Sequence, residues 1–200
     1  MAAVVRVLEA VVLEDLVSPY RVEGEVGAEG VHLSDGSLLR RPAIVRFTDQ
    51  RPPDELVQSV RAIPLAGHGV VVCRLADGTA FLPGGTREEG ESVDECMSRE
   101  LVEEAGFLMK GRPHWFAAHS GVSYHRVPYR PHAPFPLKAW LWGAVEGELA
   151  GPPTNPAGAE QVTSVSVLRP QDAVALLENE GRGYAQALRH WMISGAPVEF

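Results

Sequence analysis

The chain has 200 residues, 45% of them hydrophobic, which is enough for one domain with its own core plus extensions. A formal net charge of −8 argues against a general nucleic-acid-binding surface and leaves only local basic pockets for anions. Near the N-terminus, Glu9, Glu14 and Asp15 interrupt the apolar run before a signal peptide or membrane span takes shape, so a cytoplasmic protein with no membrane partner is expected.

Val4–Leu13 and Tyr20–Phe47 read as β-rich segments, broken by Gly24, Gly27, Gly30 and the turn Ser34-Asp35-Gly36-Ser37. They predict a small N-terminal extension, residues 1–55, ahead of a main domain over 56–200. The extension is too small to bury a core alone, so it is expected to pack across a subunit interface in a homodimer. After the polar, proline-bearing connection Asp49–Asp54, the stretches Ala62–Leu65, Gly69–Arg74 and Thr79–Leu82 read as core strands. Ser92 followed three residues later by Glu95 is a capping box, so a helix is expected to begin just past Gly90-Glu91 and to stop at Gly106. Cys73 falls in a strand and Cys96 in this helix, with neither CxxC spacing nor a disulfide framework, so both are expected to be buried reduced thiols.

Beyond the helix, Trp115–Ala118 and Leu137–Val145 are apolar runs suited to buried strands. Residues His119–Pro136 between them are rich in His, Tyr, Arg and Pro and predict an irregular loop. Arg126, Arg130 and Lys138 are candidates for binding anionic oxygens, and Tyr124, Tyr129 or Trp115 for stacking on a planar ligand; for each, an ordinary loop or packing role is the competing reading. A loop over Gly151–Pro156 leads to a strand at Thr163–Leu168. Pro170 starts an amphipathic helix that Gly181 ends, and Tyr184–Trp191 carries a last helical pattern; the two are expected to cover the sheet.

The chemistry is concentrated in the capped helix. Glu100, Glu103 and Glu104 stand at i, i+3 and i+4, on one face. Each like-charged pair costs an isolated helix roughly 0.2–0.5 kcal/mol, and acids at a helix C-terminus also oppose the macrodipole, so a counter-charge is expected. Oxygen-only ligands without a nearby Cys or His pair point to a hard ion, Mg²⁺ or Mn²⁺. A solvated acidic face is the usual meaning of such a run, but seven positions (Gly85, Glu91, Arg99, Glu100, Glu103, Glu104, Gly106) fall at fixed spacing. At about one in ten apiece, chance produces this on the order of 10⁻⁵ times over the chain.

With the preceding Leu82-Pro83-Gly84-Gly85, the segment Gly85–Phe107 resembles the signature box of the Nudix hydrolases, and a looser resemblance runs from about Val57 to about Trp191. Phe107 departs from the Ile, Leu or Val usual at its position, which predicts altered packing without loss of chemistry. The resemblance implies an α/β protein, a Nudix α/β/α sandwich with a mixed β-sheet, that hydrolyses a nucleoside diphosphate linked to another moiety. Carried over by position, Glu100 and Glu104 become direct metal ligands and Glu103 a ligand or a water-bridged neighbour with a catalytic part. The Gly84 carbonyl completes the set. Arg99 pairs with Glu91 or a box carboxylate, either as a catalytic support or as a purely stabilising ion pair. Glu160, before the late strand, is the leading candidate for general base, with Glu146 and Glu148 as alternatives.

The substrate is less fixed. The segment Val31–Gly36 with Arg40-Arg41-Pro42 resembles the N-terminal unit of ADP-ribose pyrophosphatases, which ranks ADP-ribose or another nucleotide sugar first. Ser120 before Gly121 lacks the proline frequent in that group, and a nucleoside triphosphate ranks second. A non-catalytic Nudix-fold ligand sensor is disfavoured because the box carboxylates are intact. An isopentenyl diphosphate isomerase is disfavoured because neither cysteine matches its catalytic one.

Overall fold

The computed structural model describes residues 24–27, 30–33, 38–39, 43–123, 127–159, 161–180 and 183–194. Among them, strands run in chain order as β1 (Gly24–Gly27), β2 (Gly30–Leu33), β3 (Leu38–Leu39), β4 (Ala43–Thr48), β5 (Val57–Ala66), β6 (Gly69–Leu75) and β7 (Ala80–Phe81). Then follow β8 (Phe107–Met109), β9 (His114–Ser123), β10 (Leu137–Leu149) and β11 (Val162–Leu168). The helices are α1 (Val93–Ala105), α2 (Pro170–Leu177) and α3 (Tyr184–Ser194), and a single 3₁₀ turn covers Asp54–Leu56. No helix among the described residues is long and apolar enough to cross a membrane.

The main sheet has the order β11-β6-β5-β10-β9-β4, with β7 attached to β6 and β8 to β10. It is mixed because β5 and β10 run parallel, with Leu141 opposite Val60 and Ala144 opposite Ile63, whereas the other pairings are antiparallel. A central parallel pair has to be covered on both faces, and β5 is accordingly buried at eight of its ten positions. Adjacent residues of β10 show how. Gly143 faces the Met97 side chain of α1, while the Trp142 ring lies edge-on to Tyr184 of α3 at 5.9 Å. The helices therefore sandwich the sheet, as expected. Val93, Cys96, Met97, Leu101 and Ala105 seal one face, and Tyr184, Ala187 and Leu188 seal the other. Each fully buried Leu, Ile or Met contributes roughly 1.5–3 kcal/mol relative to exposure.

Three elements differ from the sequence expectation. β4 lies within the segment assigned to the extension, yet it joins the main sheet through β9, with Ala43 opposite Ser123 and Thr48 opposite Ala118; β1, β2 and β3 form a separate antiparallel sheet. β9 continues through His119–Ser123, which the sequence placed in an irregular loop, because β4 and β10 pair with it from both sides and satisfy its backbone. β8 was not anticipated. Its first residue, Phe107, is completely buried and its ring occupies the space beside Gly147 of β10 that a Cβ there would fill. The departure from the usual aliphatic residue is thus accommodated by a glycine on the neighbouring strand. The expected strand over Val4–Leu13 and the Ser34–Ser37 turn lie outside the described residues.

Candidate active site

Past its hairpin with β6, β5 is paired instead by the loop that precedes α1. The amides of Val60 and Ala62 donate to the carbonyls of Gly85 and Pro83 at 3.0 and 2.9 Å, and the Arg87 amide donates to Gln58 at 3.0 Å. Arg87 then ties the loop to what lies around it. Its guanidinium donates to the carbonyls of Asp54 (2.7 Å), Val57 (3.1 Å) and Glu91 (3.0 Å, from Nε). Helix α1 starts where the sequence said it would: Ser92 Oγ accepts from the Glu95 amide at 3.2 Å, and Glu95 Oε2 accepts from the Ser92 amide at 2.9 Å. It ends on Gly106, whose left-handed backbone (φ 60°, ψ 30°) suits glycine.

Arg99 organises the acidic face that this helix presents. Its Nε and Nη2 grip both oxygens of Glu91 at 2.8 and 3.0 Å, its Nη1 bonds Glu100 at 2.8 Å and Glu103 at 3.2 Å, and Nη2 also reaches the Thr86 carbonyl at 3.2 Å. Both pairings expected of Arg99 occur in one network, with Glu91 and with box carboxylates. The two-toothed grip needs a planar guanidinium, which a lysine lacks. Glu100 is buried, at 8% exposure, with its carboxylate against Gly85 so closely that a Cβ at position 85 would collide with it. That contact is what the glycine is for. Burial raises the pKa of Glu100, and the Arg99 charge and hydrogen bond oppose the rise. For Glu91 burial pulls upward as well, but the Arg99 hydrogen bonds and the Glu88 amide outweigh it and hold the carboxyl below its ordinary range. The same partners push the Arg99 guanidinium up, so it stays charged.

Gly84 links the remaining groups. Its amide donates to Glu104 Oε2 at 2.8 Å, and its carbonyl accepts from Nη1 of Arg61, a β5 residue that also donates to the Val60 carbonyl at 3.3 Å. The donor set of Glu100, Glu103, Glu104 and the Gly84 carbonyl is hard oxygen throughout, and the Gly85 cradle brings loop backbone against the Glu100 carboxylate. This set fits Mg²⁺ or Mn²⁺ by chemistry and excludes a thiophilic metal. In the conformation described, no three Asp, Glu, His or Cys side chains among the described residues converge on one point, because Arg99 holds Glu100 and Glu103 while Glu104 turns to the Gly84 amide.

Other candidates fall at different distances from this centre. The segment 127–136 leans on the box loop, since His132 Nε2 lies 3.2 Å from the Arg87 carbonyl. On that segment Arg130 sits over the exposed Tyr129 ring at 5.9 Å. Lys138, at the start of β10, lies over Trp140 at 5.2 Å. Trp115 is not placed as a free stacking platform: its indole donates to Asp94 at 3.0 Å, its ring packs on Gly143 and the Arg51 guanidinium lies over the ring at 5.9 Å. Glu148 is exposed and paired with Lys110 at 2.6 Å, and Glu146 offers its backbone carbonyl to the Lys110 amide at 2.7 Å. Tyr124, Arg126 and Glu160 lie outside the described residues. Cys73 and Cys96 are free and buried; desolvation pushes both thiols far above their ordinary value, which makes them inert. Arg61 and Arg87 were missed from sequence. Arg61 had no readable signal, whereas a cation inside the box loop, at Arg87, was a signal that went unused.

A profile of the NUDIX domain matches residues 55–190. Among solved structures, the fold is similar to that of the Bacillus subtilis pyrophosphohydrolase BsRppH, a mutant form, with a TM-score of 0.55 and 14% identity over 76% of this chain and 92% of that one. An E. coli dihydroneopterin triphosphate pyrophosphohydrolase aligns with a TM-score of 0.39 and 16% identity over 68% of this chain and 94% of that one. No curated protein matches the sequence. The profile covers more than half of the chain and takes in the box loop, α1 and every strand of the main sheet except β4, so the chain belongs to the NUDIX domain family.

Proposed function

We propose that this Nudix pyrophosphohydrolase cleaves the phosphoric anhydride of a nucleoside diphosphate linked to another moiety, with ADP-ribose or a related nucleotide sugar as the first substrate class to test. The observation that carries the reading is the acidic end of α1 held against the Gly84–Gly85 loop, with Glu100 buried there and Arg99 fixing its orientation. Glu100, Glu104 and the Gly84 carbonyl are the proposed ligands of Mg²⁺ or Mn²⁺, with Glu103 joining them directly or through water. When bound, such an ion neutralises pyrophosphate oxygens and acidifies the attacking water. The chain's own groups do the rest. Arg99 and Glu91 keep the helix and loop in register, so that the carboxylates stay beside the Gly84–Gly85 loop.

Glu160 is the proposed general base. Replacing it with Gln is expected to lower the rate and leave Mn²⁺ affinity near that of the wild type, because the amide keeps the shape and cannot accept the proton. Arg126, Arg130 and Lys138 are the proposed phosphate contacts and Tyr124 the proposed base platform. The contact of His132 with the Arg87 carbonyl supports this side of the site as the substrate side. The β1-β2-β3 sheet ahead of the domain supports the nucleotide-sugar class over the triphosphate class and is the element proposed to mediate a homodimer; light scattering that finds a monomer at micromolar concentration would remove the dimer.

The substrate experiment is a panel of ADP-ribose, other nucleoside diphosphate sugars and nucleoside triphosphates, each with Mg²⁺ or Mn²⁺ and with products identified by mass spectrometry. The reading expects a nucleoside monophosphate and a phosphorylated second moiety from the diphosphates at the highest kcat/KM. Preferential release of pyrophosphate from triphosphates would move the enzyme to that class.

A further inference from the structure

Arg99 binds Glu91, Glu100 and Glu103, but it does not reach the peptide of Gly84, where a different cation is at work. Arg61 projects from β5 and donates to the Gly84 carbonyl, while the amide of the same glycine donates to Glu104 Oε2 at 2.8 Å. One guanidinium therefore holds, through the Gly84 peptide, the loop residue that also meets the acidic end of α1. Strand pairing does not require it, because the loop is already joined to β5 through the backbones of Gln58, Val60 and Ala62.

We propose that Arg61 is an exchangeable internal counter-ion, which holds the Gly84 carbonyl until a divalent cation takes that oxygen and thereby sets how tightly the site binds the ion. The inference rests on the metal ligands proposed above. A guanidinium and a divalent cation on the same carbonyl, next to a buried carboxylate, would lie within a few ångströms of each other in a poorly screened place, so their occupancies oppose one another. Whatever Arg61 contributes to the cradle is given up when the ion enters, and the measured affinity is reduced by that amount. An arginine is suited to the part because it cannot release its charge by losing a proton.

The test is Mn²⁺ binding without substrate, followed by the paramagnetic resonance signal of the free ion, for the wild type, Arg61→Gln, Arg61→Lys and Glu104→Gln. Arg61→Gln is expected to bind Mn²⁺ at least about threefold more tightly, because the competing charge is gone, and Arg61→Lys to stay within about twofold of the wild type. Unchanged or weaker binding by Arg61→Gln would overturn the proposal. Glu104→Gln separates this result from the reading beneath it: if that variant binds Mn²⁺ as the wild type does, the ligand assignment has failed, whereas weakened binding there with no gain in Arg61→Gln removes only the counter-ion. Thermal melting supplies a second readout on the same proteins. Arg61→Gln is expected to melt below the wild type in EDTA and to gain more from added Mn²⁺ than the wild type gains; an equal or smaller gain counts against the exchange.

Discussion

Two titratable side chains are packed at different helices of this fold, and they are accommodated by opposite means. Glu100, a buried residue of α1, is surrounded by charge: Arg99 bonds it at 2.8 Å and Arg61 acts on it from β5. His119, which meets α3, is surrounded by neutral partners. The Trp142 indole donates to its Nδ1 at 2.8 Å, its Nε2 lies 3.3 Å from Gln186 Oε1, and Phe47 packs on the ring at 5.0 Å. The indole donates only, so Nδ1 must accept and the proton of the neutral ring sits on Nε2, facing Gln186. Burial lowers the pKa of His119, against the opposing effect of the Gln186 hydrogen bond. The partners of His119 are neutral, whereas those of Glu100 are charged, an arrangement suited to a polyphosphate and its cation.

The sharpest way to break this contrast is to remove the charge partner. Arg99→Ala leaves Glu100 without its main counter-charge and is expected to cost about 3 kcal/mol in urea denaturation; adding Glu100→Gln to it should restore part of that loss. A smaller cost, about 2 kcal/mol, is expected for His119→Phe, which strands the Trp142 N–H without an acceptor. The same residue gives the contrast a pH signature. Because its folded pKa is depressed, the neutral ring's contribution is intact above about pH 6.5 and is lost as pH falls from there through the lower folded value. Denaturation midpoints measured from pH 8 to pH 5 should decline in the wild type, and the part due to His119 should vanish in His119→Phe; identical slopes would contradict the assignment. Next comes Ser92→Ala, which deletes the α1 cap and should cost about 1 kcal/mol with little effect on turnover. The smallest effect belongs to Lys110→Ala. Its pair with Glu148 is exposed on both sides, so a change within about 0.5 kcal/mol is expected.

The same contrast explains what was legible in the sequence. Helix α1, its start at Ser92 and its end at Gly106, was readable because capping is local: the residues that make the bonds are three apart or adjacent to the terminus. The acidic face was readable for the same reason, and so was the need for a counter-charge. Which cations supply it was only half readable. Arg99 lies one turn from Glu103, but Arg61 is 23 residues from Gly84, and only the pairing of the box loop with β5 brings them together. Strand extents failed in the same way. His119–Ser123 looked like loop because the stretch it opens, to Pro136, is rich in His, Tyr, Arg and Pro, yet β4 and β10 arrive from distant parts of the chain to pair with it. His119 itself, drawn into that loop by its composition, is a packed residue held by Trp142 and Gln186.

The central claim is that the carboxylates of α1 are retained for metal-assisted hydrolysis. The measurement that tests it most directly is turnover of Glu104→Gln on the best substrate of the panel, at saturation, alongside its Mn²⁺ affinity. The account predicts a fall in kcat of at least about tenfold, equivalent to about 1.4 kcal/mol of barrier, together with weaker Mn²⁺ binding and an unaltered fold. Wild-type turnover with wild-type Mn²⁺ affinity would contradict it.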